Sequence, residues 1–396
     1  MASMGPPPLS FSTFILSLYL FSLLLRTTYS LPTTLGVTYF TPVPTTTQPK
    51  PPPPVHIATA ISSLGFNSIR VLNPDPTLTR AFTYTNTTLF LTIPNPLVQP
   101  IASNRSMALR WLYVHVVPFY PRARITTISV GNDFLSASPP GFYSFLLPAI
   151  RNVHLALRDI GIRKISVSTS FSFINIVSTP FPPSSAEFQG LASDNLIKPL
   201  LQFLRDTNSS FLINIYPYNV YRLNSEIPIG FALFQEHPFN FRDDLITGVR
   251  YRNLFDMMVD AVISAMTAAG FVNIPVVVAE TGWPSSGDAL EVDANSAYAE
   301  MYLRGLVAHL KSGLGTPLRK EGVAEAYIYE LFDDEVRWGK TPHERSWGIL
   351  FSNMTKKYEI EFSGSDSAGG SRAFLCLCSF AVAVNIIRGP LHLLSL

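Results

Sequence analysis

Eight short runs of β-branched and aromatic residues alternate with longer segments whose apolar residues fall at helical spacing, and this alternation restricts the fold more than any other feature. The runs cover residues 35–39, 68–72, 89–93, 125–130, 164–169, 211–216, 276–280 and 324–332, and each reads as a buried strand. Helical spacing recurs over 55–64, 106–117, 142–160, 195–204, 251–269 and 294–311. Two further helices that a full alternation requires cannot be placed by periodicity. No linker divides the pattern between residues 31 and 362, which predicts one α/β domain, a (β/α)8 TIM barrel. The alternative is a doubly wound sheet, but no Gly-X-Gly-X-X-Gly follows any run, which counts against nucleotide binding. The Pro-rich segment 42–54 reads as a rigid loop on the functional face.

Both ends of the chain read as processing segments. Residues 1–30 carry an apolar run, 11–25, followed by small polar residues, as a secretory signal peptide does. No basic residue precedes that run, so an uncleaved anchor is the alternative. Residues 363–396 open on Ser363-Gly364-Ser365, pass through a polar spacer to Arg372 and end apolar, the order of a GPI-attachment signal; a merely hydrophobic tail is the other reading. Sequons at Asn86, Asn104, Asn208 and Asn353 fit the secretory route. The expected location is extracellular, at the outer face of the plasma membrane and facing the cell wall.

Cys376 and Cys378 both lie in the tail, so a trimmed chain would have no cysteine and must draw its stability from a large core. Trimming also removes Arg26, Arg372, Arg388 and Asp366, which leaves basic and acidic residues in balance. Charged residues make up 14% of the chain and form no basic stripe, which argues against nucleic acid. A neutral monomer suits a neutral polymer.

In a closed barrel the residues that follow each strand converge on one mouth. There the sequence brings Tyr39, Asn73, Gly131-Asn132-Asp133, Asn214-Ile215-Tyr216-Pro217-Tyr218, Glu280 with Trp283, and Phe332-Asp333-Asp334. Two acids, Asp133 after the fourth strand and Glu280 at the seventh, are what glycosidic cleavage needs. One protonates the leaving oxygen, and the other attacks or stabilises an oxocarbenium-like carbon. Aromatic faces stack on sugar rings, and amides bind hydroxyls. Taken singly, Tyr39 and Tyr216 read equally well as core, and Asp133 as a turn cap. The seven His show no metal-ligand spacing and Gly-X-Ser-X-Gly is missing, so neither a metal nor another cofactor is expected.

These motifs resemble the plant endo-1,3-β-glucanases of glycoside hydrolase family 17, from about residue 35 to residue 362. Leu35-Gly36-Val37-Thr38-Tyr39 is similar to the family's Ile-Gly-Val-X-Tyr, and Val130-Gly131-Asn132-Asp133 to its Val-Gly-Asn-Glu. Asn214-Ile215-Tyr216-Pro217-Tyr218, Tyr251-Arg252-Asn253-Leu254-Phe255-Asp256 and Glu280-Thr281-Gly282-Trp283-Pro284-Ser285 match closely. Phe332-Asp333-Asp334 and Glu344-Arg345-Ser346-Trp347-Gly348 resemble Phe-Asp-Glu and Glu-Arg-X-X-Gly. The resemblance implies a retaining hydrolase of 1,3-β-glucan with Glu280 as nucleophile, Asp133 as acid/base and Asn132 on the sugar's 2-hydroxyl. Tyr39, Tyr216, Trp283 and Phe332 would line the cleft, and Asp334, Arg337 and Glu344 fall where the family keeps a Glu, a Lys and a Glu.

The chain departs from that pattern at Asp133 and Asp334, each in place of Glu, at Arg337 in place of Lys, and at Asn73 where Asp is usual. Asp withdraws its carboxyl by about 1 to 1.5 Å relative to Glu, whereas a retaining site wants its carboxyls about 5 to 5.5 Å apart. Two readings follow: a working endo-1,3-β-glucanase of reduced rate, or a wall-polysaccharide binding protein that has lost efficient catalysis. Transfer to a second glucan is not separable from hydrolysis by sequence.

Overall fold

Strand β1 (Thr34–Phe40) pairs in parallel with β2 (Ser68–Leu72), and parallel pairing continues through β3 (Thr88–Ile93), β4 (Arg124–Asn132), β5 (Ser166–Ser172) and β6 (Phe211–Asn214). A hairpin, β7 (Arg242–Asp244) and β8 (Val249–Tyr251), occupies the next connection. Strands β9 (Val276–Thr281) and β10 (Glu325–Ile328) then close the ring against β1, with the order β1-β10-β9-β6-β5-β4-β3-β2. The eight runs read from the sequence are therefore the staves of a closed (β/α)8 barrel. The computed structural model describes residues 33–41, 51–177, 180–189, 193–333 and 345–363. The segment read as signal peptide, all of the GPI signal except Ser363, and most of the Pro-rich loop lie outside the described residues.

Each stave is buried on both faces because helices cover the outside and side chains fill the inside. Outward residues such as Ile69, Val71, Ile128 and Val130 join the helices in one large apolar cluster. Inside, Phe90, Leu212, Val277, Ala279 and Tyr327 form a separate plug. Phe90 meets Tyr327 edge-on at 5.4 Å, and the Tyr327 hydroxyl lies 2.8 Å from Ser68 Oγ. The lumen is thus sealed below its mouth.

Local chemistry explains where element bounds differ from the periodicity. The helix expected from residue 251 begins at Leu254, because Asn253 caps it by accepting from Asp256 N–H at 2.7 Å while Val249–Tyr251 pairs in the hairpin. One unplaced helix is the six-residue Pro76–Ala81, capped by Asp75 and opened by Pro at its first position. Six residues are too few for a period to register. Beyond β10 the described residues form no helix; bridges pair Phe332 with Leu350 and Leu350 with Lys356, and Phe362 stacks on Phe66 at 4.6 Å. The last strand is also shorter than the run 324–332, since its ladder ends at Ile328.

Candidate active site

On β9, strict alternation after the inward-facing Val277 and Ala279 would send Glu280 outward to the helices. Against both neighbours, however, the register slips by one residue: Asn214 stands opposite Glu280, and Ile328 opposite Thr281. This bulge turns Glu280 back into the mouth. A second bulge does the same on β4, where Ser129 pairs with Ser168 but Asn132 with Ser170. Gly131 makes the second bulge feasible. Its φ of 78° lies in the left-handed region, and a Cβ there would come within 2.8 Å of Asn95 Oδ1. Asn95 uses that approach to hold Asn132 by both backbone groups, donating to its carbonyl at 3.0 Å and accepting from its N–H at 2.8 Å.

The two re-aimed side chains meet. Asn132 Nδ2 donates to Glu280 Oε1 at 3.0 Å, and the same oxygen receives Arg70 Nη1 at 2.6 Å. The Tyr216 hydroxyl donates to Glu280 Oε2 at 2.6 Å. Arg70 also reaches the Ala279 carbonyl at 3.0 Å, Asn132 Oδ1 at 2.9 Å and Ser170 Oγ at 3.1 Å, with its guanidinium over the Phe90 ring. Asn132 Oδ1 accepts further bonds from Ser170 Oγ and Asn214 Nδ2. Burial, followed by the charge of Glu280, drives the Tyr216 hydroxyl well above its usual pKa, so it stays a donor. The outcome is a buried, oriented carboxylate with three donors upon it.

Asp133 sits next to this network on the turn after β4, with φ 45°. Its Oδ1 accepts from Ser172 N–H at 3.1 Å and from Asn175 Nδ2 at 3.4 Å, which ties the carboxylate to the end of β5. Its side chain makes no capping bond to the short helix Phe134–Ala137 that follows, so the alternative role of turn cap is not the one it plays. Tyr39 and Phe332 form an edge-on pair at 6.1 Å. Tyr39 is buried, and burial, helped by Asp75, raises its hydroxyl to about 12.

Trp283 requires a correction. It was expected to contact substrate, but it is only 2% exposed, packs on Tyr218, Tyr221 and Tyr302, and donates Nε1–H to the Asp293 carbonyl. Its indole is core, turned inward by a motif whose Glu280 faces the mouth. Asp334, Arg337 and Glu344 lie outside the described residues. The sequon residues Asn86, Asn104, Asn208 and Asn353 are all exposed. Asn104 caps the helix Arg105–His115, and Asn208 takes a left-handed conformation at the end of Lys198–Thr207.

Sequence reasoning missed Arg70, Asn95 and Ser170. Arg70 had a usable signal, since a charged residue in the middle of the buried run Ser68–Leu72 can be accommodated only if it is paired. Asn95 and Ser170 had none, because a polar residue after a strand is ordinary.

Comparison with known proteins decides the family. Residues 50–362 match the family model for glycosyl hydrolases family 17. The chain belongs to glycoside hydrolase family 17. It is 37% identical over 319 residues to glucan endo-1,3-beta-glucosidase 7 of Arabidopsis thaliana and 38% identical over 319 residues to glucan endo-1,3-beta-glucosidase 2 of the same plant. Each alignment covers 80% of this chain and 62% of the relative, so the chain spans somewhat under two thirds of these curated relatives. Among solved structures of the family, it is similar to CJP38, a beta-1,3-glucanase and allergen of Cryptomeria japonica pollen, with TM-score 0.75 and 32% identity over 83% of this chain and 99% of that one. A structure described as one of two plant beta-glucan endohydrolases with distinct substrate specificities gives TM-score 0.72 and 31% identity over 83% and 100%.

Proposed function

We propose that this family 17 barrel cleaves 1,3-β-D-glucosidic linkages in callose- or laminarin-type glucan with retention of configuration. One observation carries the reading: the Glu280 carboxylate is held at the mouth by Arg70, Asn132 and Tyr216. Glu280 attacks the anomeric carbon, and the C–O bond to the leaving glucan breaks as Asp133 gives that oxygen its proton. Asp133, now ionised, takes a proton from water, whose oxygen displaces Glu280 from the sugar. The three donors stabilise the charge that returns to Glu280 when the ester breaks. Asn132 is proposed to bind the 2-hydroxyl, and Tyr39, Phe332, Asp334, Arg337 and Glu344 to line the cleft.

The competing reading is a glucan-binding protein with impaired catalysis. It is favoured by the short acid, whose carboxylate is anchored to Ser172 and Asn175. Reducing-sugar release from laminarin, with the anomer of the first product followed by NMR, separates the two. Release of the β-anomer that vanishes in Glu280→Gln supports hydrolysis; retention on insoluble 1,3-β-glucan without release supports binding alone. We further propose that the chain works outside the cell as a glycosylated monomer held by a GPI anchor, on the strength of its apolar end segments and four exposed sequons. Release of the protein from intact cells by a phosphatidylinositol-specific phospholipase tests the anchor.

A further inference from the structure

We propose that Glu291 is a positioning residue of this site, acting on Glu280 through Arg345, Trp347 and Tyr216; the proposal rests on the hydrolytic reading above. Glu291 belongs to the loop after β9. It takes two nitrogens of Arg345 in a fork, Nε to Oε2 at 2.8 Å and Nη2 to Oε1 at 2.7 Å, and its Oε1 also lies 2.8 Å from Arg222 Nη1. Arg222 is on the helix Pro217–Leu223 after β6, and Arg345 is in the segment after β10. One carboxylate therefore ties together three of the connections that frame the mouth. The Glu291 side chain is 7% exposed, so little water competes for these bonds.

The clasp has a direct route to the chemistry. Arg345 also lies over the Tyr218 ring at 5.2 Å. Ser346 beside it bridges to the β9 loop, giving its carbonyl to Ser285 N–H at 2.7 Å and its N–H to the Ser286 carbonyl at 3.0 Å. The next residue, Trp347, stands edge-on to Tyr216 at 5.1 Å and covers Gly282, where a Cβ would come within 3.3 Å of the indole. Tyr216 is the residue that donates to Glu280 Oε2. Loosening Glu291 frees Arg345, lets Trp347 withdraw and removes the wall against which Tyr216 is set. Displacements of about 1 Å at such a site cost on the order of a hundredfold in rate.

The test compares wild type, Glu291→Gln, Tyr216→Phe and the double variant on a soluble 1,3-β-gluco-oligosaccharide, well below the Tm of each protein. The expected result is a fall of about tenfold or more in kcat for Glu291→Gln with KM changed by less than about threefold. In the Tyr216→Phe background the same change should add less than about twofold, because the two residues share one path. If Glu291→Gln lowers Tm but leaves kcat intact, or if the two effects multiply, the proposal is overturned. Arg345→Lys, which keeps the cation and loses the fork, replaces Glu291→Gln if the latter fails to fold, with the same outcomes. Should wild type show no turnover, the hydrolytic reading fails by itself. The clasp is then read by iodide quenching of tryptophan fluorescence, where greater quenching in Glu291→Gln that disappears in the Trp347→Phe background sustains it and unchanged quenching overturns it.

Discussion

Arg70 Nη1 lies 2.6 Å from Glu280 Oε1, and the two side chains are 0% and 6% exposed. A pair this deep is a commitment: removing one partner leaves an uncompensated buried charge, at a cost of about 3 to 5 kcal/mol. Arg70→Met should therefore lower both Tm and activity. Arg70→Lys should fold better yet lose the second nitrogen that reaches Asn132 and Ser170, with kcat down by about a hundredfold. Steady-state kinetics beside thermal unfolding reads both, and wild-type kcat in Arg70→Lys would contradict the role given to the fork.

Restoring the missing methylene tests the acid. Asp133→Glu should raise laminarin turnover by about tenfold or more if reach limits the rate. An inactive wild type whose activity stays at background after this change would favour the glucan-binding reading.

Tyr216→Phe removes one hydrogen bond to a carboxylate and little else. Bonds to charged groups are worth about 1.5 to 3 kcal/mol, which corresponds to a loss of roughly ten- to more than a hundredfold in kcat/KM. The far-UV spectrum should be unchanged, and a wild-type kcat/KM would remove Tyr216 from the machinery.

Gly131→Ala places a side chain where φ is 78° and Asn95 Oδ1 is 2.8 Å away. A loss of about 1 to 3 kcal/mol in stability is expected, together with lower activity as Asn132 is pushed from its clamp. Chemical denaturation of the variant measures the first and laminarin hydrolysis the second; a neutral result in both would mean that the bulge tolerates a side chain.

Far from the mouth, stability should depend on pH through Asp260. Burial pushes this carboxyl from 3.8 up to about 7, against hydrogen bonds from Thr316 and the Leu318 N–H. Its folded pKa is raised, so its contribution is full below the unfolded value and is lost as pH rises from about 4 through about 7. His309 adds to the trend above its unfolded 6.5: burial lowers it, but the bond to and charge of Asp256 outweigh burial and raise it. The Tm of Asp260→Asn minus that of wild type should grow steadily across pH 4 to 7, by an amount equivalent to a few kcal/mol at most. A flat difference would mean that the carboxyl is not displaced upward.

The barrel was legible because strand and helix periods differ and each recurs along the chain; β2 matches its predicted bounds, and the helix 55–64 differs only by its leading Pro54. Glu280, Asn132 and Tyr216 were legible because strand ends converge. What the pattern could not convey was direction. Trp283 shares a motif with Glu280 yet faces the core, since β9 ends at Thr281 and beyond a strand's end parity no longer gives the side. Arg70 was passed over because the run Ser68–Leu72 was read only as a buried strand, without asking what would pair its one charge. The hairpin Arg242–Tyr251 is too short to leave a period in the sequence.

The two bulges have an evolutionary corollary. Each inserts one residue into its strand, on β9 before Glu280 and on β4 before Asn132, beyond what the facing strand supplies. Without it the side facing the opening would be unchanged, since Glu280 stands opposite Asn214 and Asn132 opposite Ser170 on the same side of the sheet, but the bend at the strand end would be lost. One codon on each strand thus shifts a polar group along the rim while the girth of the cylinder stays the same, and this architecture can re-aim its rim without touching its shape.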